Sequence, residues 1–258
     1  MRKKVKIFKK FLVPFYQRMY SITMINTYNE SMVHHELKEL FAEKYKGQTE
    51  VKKNGFICDV VHRNENNEKD LIIEIQSSGL SNLSNKIRTL LTDNKMILVY
   101  PLATKTKIQT ISTEGKIIQN RTSPKKKNIY SIFEELFKIY DLFDNENFGL
   151  CVIPITQTKI KQLMKEPVQT LQKSRRFKKN YLITDRLLDS MENPISFSNK
   201  KDFIDLLPKD IPEVFSSREL KKTEIKNEAN KMLWVLNKMG IIEIDHKEGN
   251  LIYYRLTK

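Results

Sequence analysis

The stretch GFICDVVHRNENNEKDLIIEIQSS, residues 55–78, contains two apolar runs that are each interrupted by one carboxylate. Asp59 interrupts FICDVV, and Glu74 interrupts LIIEIQ. An isolated ionised carboxylate is costly to bury, so each of these side chains needs a cation or a dense set of hydrogen-bond donors beside it. We therefore interpret the pair as a candidate metal site.

The polar segment between the two runs predicts a hairpin, because it is rich in Asn and charge and is flanked by β-branched residues. A turn centred on Asn66 and Asn67 places Asp59 directly opposite Glu74. Opposed side chains lie about 4.5–5.5 Å apart at Cβ, where like charges repel unless a shared Mg²⁺ coordinates both. Gln76 shares a face with Glu74, because side chains alternate along a strand. A bulge or a longer loop would change this register.

Simpler interpretations of these residues stay open. A single Asp or Glu in a strand is usually an edge residue, and Gln76 also fits the end of a strand before Ser77 and Ser78. The matching interruption of two apolar runs favours the paired site over these alternatives.

The preceding segment, TYNESMVHHELKELFAEKY at residues 27–45, predicts an amphipathic helix. Glu30 and His34 fall on or beside its apolar stripe, one turn apart, and are expected to point toward the sheet. Thr27 and Glu30 also match a capping box, and His34 also fits a half-buried histidine with no ligand role. The apolar stripe consists of Val33, Leu37, Leu40 and Phe41.

Together these elements resemble the core of the PD-(D/E)XK phosphodiesterase superfamily, whose elements follow the order α, β, β, β, α, β. The similarity is greatest to the branch with Glu-x-Gln in place of Glu-x-Lys, as in CoiA-like nucleases, and it covers about residues 25–120. The matching residues are Glu30, Ser31 and His34 in the helix, Asp59 in the first strand, and Glu74, Ile75, Gln76 and Ser77 at the second.

This resemblance implies a nuclease that hydrolyses phosphodiester bonds in DNA with Mg²⁺ or Mn²⁺ as cofactor. Asp59 and Glu74 would be metal ligands, and the carbonyl of Ile75 a further one. Glu30 would hold a water or complete the coordination shell. This donor set is chemically sensible, because Mg²⁺ prefers oxygen ligands and keeps several waters.

Gln76 departs from the family pattern, because it stands where a lysine is usual. An amide can orient a water but carries no charge, so transition-state stabilisation would fall on the metal and on Lys86 or Arg88. His34 is a further supporting candidate. Activity weaker than that of a lysine-bearing enzyme, or absent, is therefore an alternative that the sequence leaves open.

The chain beyond the site continues an α/β pattern with helical and strand periodicities in alternation. We expect an α/β fold, with a PD-(D/E)XK core of mixed β-sheet flanked by helices and a smaller winged-helix domain after it. The predicted elements are a helix at 81–92, a strand at 96–102, β structure at 107–119, a basic loop at 121–127, a helix at 130–143 and a strand at 148–156.

A basic segment follows the predicted nuclease-like domain, which spans residues 25–157. Residues 159–179 contain eight Lys or Arg and the single acidic Glu166. Such charge runs are typical of a helical connector or a solvated linker, so we predict a linker over 158–179.

Residues 180–258 predict three helical segments and a hairpin, and they resemble a winged helix-turn-helix domain. In that family the helix before the hairpin enters the major groove and the hairpin contacts the backbone. Winged helices also serve as protein-interaction modules, and this alternative stays open. The groove or phosphate candidates are Lys222, Lys226, Asn227, Asn230 and Lys231, the wing candidates are Lys247 and Arg255, and the predicted helices are 180–191, 199–207 and 226–239.

Composition fits a nucleic-acid partner. The 258 residues include 46 basic and 31 acidic side chains, a formal net charge of +15, which favours binding to phosphate. The two cysteines, Cys58 and Cys151, predict buried thiols in a reducing compartment, with no disulfide framework or zinc cluster.

The start of the chain, residues 1–24, predicts a basic arm because Gln17 and Arg18 interrupt its apolar run. We expect a cytoplasmic DNA nuclease that has no membrane partner. A non-enzymatic DNA-binding regulator and a protein-interaction scaffold are the alternatives. The sequence leaves open DNA or RNA, and a monomer or a homodimer.

Overall fold

The protein has an α/β fold with a mixed β-sheet flanked by helices, in a computed structural model that describes residues 30–65, 68–169 and 178–257. The α-helices are α1 Met32–Tyr45, α2 Ser84–Leu90, α3 Ile132–Glu135, α4 Ser217–Lys221 and α5 Ala229–Lys238. The strands are β1 Gln48–Lys53, β2 Phe56–His62, β3 Leu71–Ile75, β4 Lys95–Ile111, β5 Ile117–Thr122, β6 Phe148–Gln169, β7 Lys178–Met191, β8 Ile195–Phe197, β9 Phe215–Ser216, β10 Ile242–Glu248 and β11 Leu251–Leu256. The 3₁₀ helices are Leu80–Leu83, Ile129–Ser131, Leu136–Lys138, Tyr140–Asp144, Lys200–Leu206 and Lys226–Glu228.

Three predictions concern residues outside the described ranges. They are the basic arm at residues 1–24, the cap at Thr27 and the turn at Asn66 and Asn67. Within the described ranges, no helix combines the length and the apolar character that crossing a membrane requires.

The chain forms two compact units, which several long elements share. In its described part, the first unit contains residues 30–39, 101–126, 153–169 and 178–195. The second contains residues 40–65, 68–100, 127–152 and 196–257. The predicted division into a nuclease-like domain at 25–157 and a winged-helix domain at 180–258 stays a prediction.

In the second unit, β1, β2 and β3 form an antiparallel meander, and the start of β4 pairs in parallel with β3. The hairpin register places Val60 opposite Ile73 and His62 opposite Leu71, which is the register that the sequence predicted. Val60, Ile73 and Ile75 share one face of the hairpin and Ile72 lies on the other, and all four are fully or almost fully buried, so apolar packing covers both faces of these strands. Cys58 and Cys151 are buried free thiols, as expected.

The segment predicted as one helix over residues 130–143 is broken into short turns. Only Ile132–Glu135 is α-helical, and 3₁₀ turns precede and follow it. The buried side chains of this segment fit the α-helical period as well as the 3₁₀ period, so their spacing alone does not distinguish the two kinds of helix. These side chains are Ile132, Phe133, Leu136, Ile139, Leu142 and Phe143.

The predicted linker is wrong in secondary structure over its described residues, 158–169 and 178–179, and the predicted helix over 180–191 is wrong as well. Residues 158–169 continue β6, and residues 178–191 form β7, which pairs with β6 in antiparallel register. The physical reason is that cross-strand pairing satisfies the backbone of both segments, while their charged side chains stay accessible. A charge run is therefore compatible with a strand that has one solvent-facing side.

The C-terminal residues form helices packed with a three-stranded antiparallel sheet in the order β10-β11-β9. Ser216 and Glu219 form a capping box at α4, since the Glu219 carboxylate accepts from the Ser216 N–H at 2.8 Å. Helix α5 has one buried apolar face. Its side chains include Ala229, Met232, Leu233 and Leu236, together with Met239 just after the helix.

Candidate active site

The backbone ladder between β2 and β3 ends at Val60 and Ile73, and two carboxylates replace the next bonds. The Asp59 carboxylate accepts a hydrogen bond from the Ile75 N–H at 2.7 Å. The Glu74 carboxylate accepts from the Asp59 N–H at 3.4 Å. Asp59 and Glu74 thus meet where the strands separate, and they satisfy backbone donors that would otherwise lack partners.

Ile75 presents its backbone to the same place. Its N–H points toward β2, where it meets Asp59, while the next N–H, that of Gln76, bonds the Val99 carbonyl of β4 at 2.9 Å. In a strand the N–H and C=O of one residue point to the same side, so the Ile75 carbonyl oxygen also faces the β2 side. Two carboxylates and one carbonyl oxygen therefore face the end of the hairpin.

Glu74 is a buried carboxylate with a cation against it. Only 3% of the residue is exposed, and its Oε2 lies 2.6 Å from Nζ of Lys86 on α2. Burial, followed by the neighbouring negative charge of Asp59, raises the pKa of Glu74 to about 7, although Lys86 opposes this rise. Near neutral pH the protein can therefore hold this group in either protonation state.

Lys86 joins the helix to the strand end. Besides Glu74, its ammonium donates to the Ile57 carbonyl at 2.6 Å. Cys58, between Ile57 and Asp59, is fully buried, and burial together with the negative charge of Glu74 raises the pKa of its thiol to about 11. The thiol therefore stays protonated, and the ionic groups here are Glu74, Asp59 and Lys86.

Gln76 follows Glu74 at two-residue spacing and is partly exposed. Its side-chain amide donates to the Ser78 carbonyl at 2.7 Å, which orients the amide along the chain after β3. Arg88, by contrast, is not brought to Glu74. Its Nη2 donates to both carboxylate oxygens of Asp141, at 2.8 Å to each.

Glu30 and His34 belong to the first unit and form a cluster with Lys38. One Glu30 oxygen contacts His34 Nδ1, and the other accepts from Lys38 Nζ at 2.9 Å. Burial raises the pKa of Glu30, but the hydrogen bonds from Lys38 and His34 outweigh burial and lower it overall. Helix α1 begins at Met32, and the Ser31 hydroxyl accepts from the His34 N–H at 3.4 Å. Glu30 therefore precedes the helix, and its predicted alternative role in a capping box with Thr27 lies outside the described residues.

Among the residues that the structure describes, no three His, Cys, Asp or Glu side chains converge as a metal-binding group. The candidate centre thus has two carboxylates, Asp59 and Glu74, and its remaining oxygen comes from the Ile75 backbone. Such a set fits a hard cation that keeps most of its waters.

Two lysines have larger roles in the structure than the sequence predicted. The sequence indicates Lys86 only beside Arg88, yet it lies three residues after Leu83 and four before Leu90, on the side of α2 that contacts Glu74. Lys38, for which the sequence predicted no role, follows His34 by one turn and is only 4% exposed. A cation on the apolar stripe of a helix is the signal that would have identified both residues.

The C-terminal residues predicted to contact nucleic acid differ in their exposure and in their ion pairs. Lys222, Lys226, Asn227, Asn230 and Lys247 are exposed. Lys231 pairs with Glu134 and Glu228, each at 3.0 Å, and Arg255 pairs with Glu243 at 2.8 Å.

The side of α5 that carries Lys231 also packs against the segment 129–144 through an aromatic contact. The Trp234 ring lies 4.8 Å from that of Phe137 and 5.7 Å from that of Tyr140, centroid to centroid. Part of the helix predicted to enter a groove is therefore covered within the second unit.

In a comparison with known proteins, residues 31–198 match the family model described as "Domain of unknown function (DUF8091)". A protein of Treponema pallidum (strain Nichols), described as an uncharacterized protein, is 30% identical over 231 residues, which are 90% of this chain and 87% of that protein. No solved structure matches the chain.

Proposed function

Since the chain belongs to the DUF8091 family, whose description assigns no function, we propose a function from its own side chains: Mg²⁺-dependent hydrolysis of phosphodiester bonds in DNA. The observation that carries this proposal is the meeting of Asp59, Glu74 and the Ile75 backbone at the open end of the β2–β3 hairpin. The same end also receives a cation, Lys86, from α2.

The element order supports the assignment to the PD-(D/E)XK type. Helix α1 is followed by the meander β1 to β3, then by α2, and then by β4, which runs parallel to β3. This is the α, β, β, β, α, β order of that superfamily, and the acidic residues stand on the two strands expected to carry them. Fold alone does not establish function, so the weight rests on the site.

Asp59, Glu74 and the Ile75 carbonyl would hold the cation, because all three supply the oxygen ligands that Mg²⁺ or Mn²⁺ accepts. When bound, the cation would polarise the phosphate and favour its attack by water. Glu74 would have to be ionised to bind, and its pKa of about 7 makes that state accessible at neutral pH.

Lys86 and Gln76 would divide the task of the family lysine. Lys86 Nζ, 2.6 Å from Glu74, supplies positive charge at the site and could stabilise the negative charge that develops on phosphate. Gln76 would orient the attacking water through its amide oxygen, while its amide nitrogen stays bonded to Ser78.

The C-terminal residues would help to hold the substrate. The 3₁₀ helix Lys200–Leu206, strand β9, helices α4 and α5 and the hairpin β10–β11 follow the order of a winged helix-turn-helix. With Lys231 and Arg255 in ion pairs, the exposed residues Lys222, Lys226, Asn227, Asn230 and Lys247 are the better candidates for DNA contact.

The test is cleavage of supercoiled plasmid DNA by the purified chain in Mg²⁺ and in Mn²⁺, with EDTA as the negative control. We expect Glu74→Ala to lower the cleavage rate by about 100-fold or more, because it removes a ligand. Glu68→Ala is the matched control, since Glu68 lies on the same hairpin connection with its side chain 63% exposed, and it should cleave like the wild type.

Cleavage that persists in Glu74→Ala at the rate of Glu68→Ala would contradict the proposed site. Thermal unfolding of both variants shows whether the loss is chemical or structural. Binding of the plasmid by Glu74→Ala should persist in either case.

A second candidate function is a non-catalytic DNA-binding regulator. The observation that favours it is the Lys86 ammonium, which compensates the charge of Glu74 without a metal. This candidate predicts salt-sensitive DNA binding with no cleavage in either metal, and an affinity that Glu74→Ala leaves unchanged.

A further inference from the structure

The β6–β7 ribbon of the first unit has two chemically different faces. Directly opposed residues of an antiparallel pair lie on the same face, and successive residues alternate between the faces. Lys161 is opposite Ile183, and Gln162 is opposite Leu182. Lys161 and Gln162 therefore mark opposite sides of the ribbon.

One of these faces packs against other parts of its own unit. The Gln162 amide donates to the Ser112 carbonyl at 2.6 Å. Asp185, which is opposite Ile160, accepts from the Met32 N–H at 3.0 Å. The Gln162 face is therefore the inner face of the ribbon.

The other face carries cations around an aromatic ring. The Lys161 ammonium lies 4.2 Å from the centroid of the Tyr181 ring, and the Lys179 ammonium lies 5.1 Å from the same centroid. Further along this face, Lys159 is directly opposite Arg186. We call Lys159, Lys161, Lys179, Tyr181 and Arg186 the cationic face.

The cationic face concentrates charge of one sign. Across the paired residues 159–163 and 181–186, the acidic side chain is Asp185, and it belongs to the inner face. Cations grouped on one face attract anions more strongly than the same cations dispersed over a surface. A partner with regularly spaced negative charges would meet several of these cations at once.

We propose that the cationic face binds the phosphate backbone of a duplex nucleic acid. A two-stranded ribbon is an element that the major groove of B-DNA, about 12 Å wide, can admit. Contacts between lysine and phosphate oxygens carry no sequence information, so binding that rests on these contacts is independent of sequence. The choice of nucleic acid over another polyanion rests on the proposed function.

The test measures binding of the full chain to a fluorescein-labelled DNA duplex by anisotropy, in EDTA, across a salt series. Lys161→Gln combined with Lys179→Gln should weaken binding several-fold. The slope of the logarithm of the association constant against the logarithm of the salt concentration should become shallower by about 2. Lys201→Gln combined with Lys209→Gln is the charge-matched control, because both lysines are exposed and lie in the second unit. The control should keep the wild-type slope.

A footprint on the wild-type chain provides a measurement that needs no variant. Acetylation of lysines with and without the duplex, read by mass spectrometry, should show protection of Lys161 and Lys179 but not of Lys201 and Lys209. Equal salt slopes for the two double variants, or no protection of Lys161 and Lys179, would overturn the proposal.

The outcome separates this inference from the proposed function. Because binding is measured in EDTA, loss of affinity in the ribbon variant supports the cationic face even if the chain cleaves nothing. Plasmid cleavage together with unchanged binding by the ribbon variant would overturn only the cationic face. Binding of phosphatidylserine vesicles through Lys161 and Lys179, with DNA binding unchanged, would assign the face to a membrane surface and likewise overturn the inference.

Discussion

The hairpin β2–β3 and the ribbon β6–β7 are both antiparallel strand pairs, but their charges lie in opposite environments. The hairpin directs Asp59 and Glu74 to its open end, where backbone N–H groups and Lys86 satisfy them. The ribbon directs Lys161 and Lys179 to one face, where they surround the Tyr181 ring.

This difference shows two ways in which the protein accommodates charged side chains. A buried carboxylate must be compensated by neighbours at fixed distances, and such a site is suited to binding a small ion with defined geometry. Cations on an accessible face need no fixed partner, because solvent screens them, and such a face suits a large and repetitive anion. The hairpin is therefore the candidate catalytic site, and the ribbon is the candidate surface for binding nucleic acid.

The largest expected difference between the two strand pairs is in packing. Ile73 of the hairpin is fully buried, whereas Ile183 of the ribbon is 43% exposed. We expect Ile73→Ala to lower the free energy of unfolding by about 2–5 kcal/mol, because it leaves a cavity in a filled layer. Ile183→Ala should cost less than about 1 kcal/mol. Urea unfolding of both variants beside the wild type measures these changes.

An equal loss in the two variants would break the comparison, because it would mean that the ribbon carries as much of the folding energy as the hairpin. Ile183→Val serves as a conservative control, since it keeps the branched side chain that strands favour.

The next largest effect concerns the proton of Glu74. Its pKa in the folded protein, about 7, lies above the ordinary value of 4.5, so the protonated group stabilises the fold fully below about pH 4.5. This contribution is lost as the pH rises through 7. Without metal, the wild type should therefore lose up to about 3 kcal/mol more than Glu74→Gln between pH 5 and pH 8.

Urea unfolding at several pH values, for both proteins in EDTA, measures that difference. Glu36, whose pKa burial and then the charge of Asp185 also raise to about 7, contributes equally in both proteins and cancels. Parallel pH curves for the wild type and Glu74→Gln would place the titrating group elsewhere.

A smaller effect links the protonation of Glu74 to the binding of Mg²⁺. Binding of Mg²⁺ requires ionised Glu74, so affinity should rise about tenfold between pH 6 and pH 8 and level off above the pKa. Calorimetric titration of the chain with Mg²⁺ in the absence of DNA gives the affinities. Asp59→Asn and Glu74→Gln should each abolish the heat of binding, whereas Glu68→Gln should not. A metal affinity that is independent of pH would separate the ion from Glu74.

The hairpin was largely predictable from sequence, and the ribbon was not. FICDVV and LIIEIQ each contain one charge inside an apolar run, and burial then dictated both the strands and their register. The ribbon sequence contains Lys159, Lys161 and Lys165 among apolar residues, a pattern that fits a linker, a helix or an exposed strand. Only the pairing of Lys161 with Ile183, distant in sequence, decides between these.

The residues that pair with the buried carboxylates were the second feature that could not be predicted from the sequence. Asp59 and Glu74 indicated that a cation was needed, but Lys86 and Arg88 were equal candidates. The fold separates them, because Lys86 faces the strand end and Arg88 faces Asp141. The spacing of residues along a helix predicts which face each residue lies on. Only the residues that pack against that face determine which cation pairs with the buried carboxylate.

The smallest expected effect is on the stability of the ribbon itself. Replacing Lys161 and Lys179 together by Gln removes cation–π contacts with Tyr181, each worth about 0.5–1 kcal/mol at exposed sites, and it also removes repulsion between like charges. Because these terms oppose each other, the free energy of unfolding should change by less than about 1 kcal/mol. Urea unfolding at low and high salt measures it, and high salt should shift the balance toward the wild type by screening the repulsion. A loss comparable to that of Ile73→Ala would mean that the lysines hold the ribbon together, and the cationic face would then be a structural feature with no need of a partner.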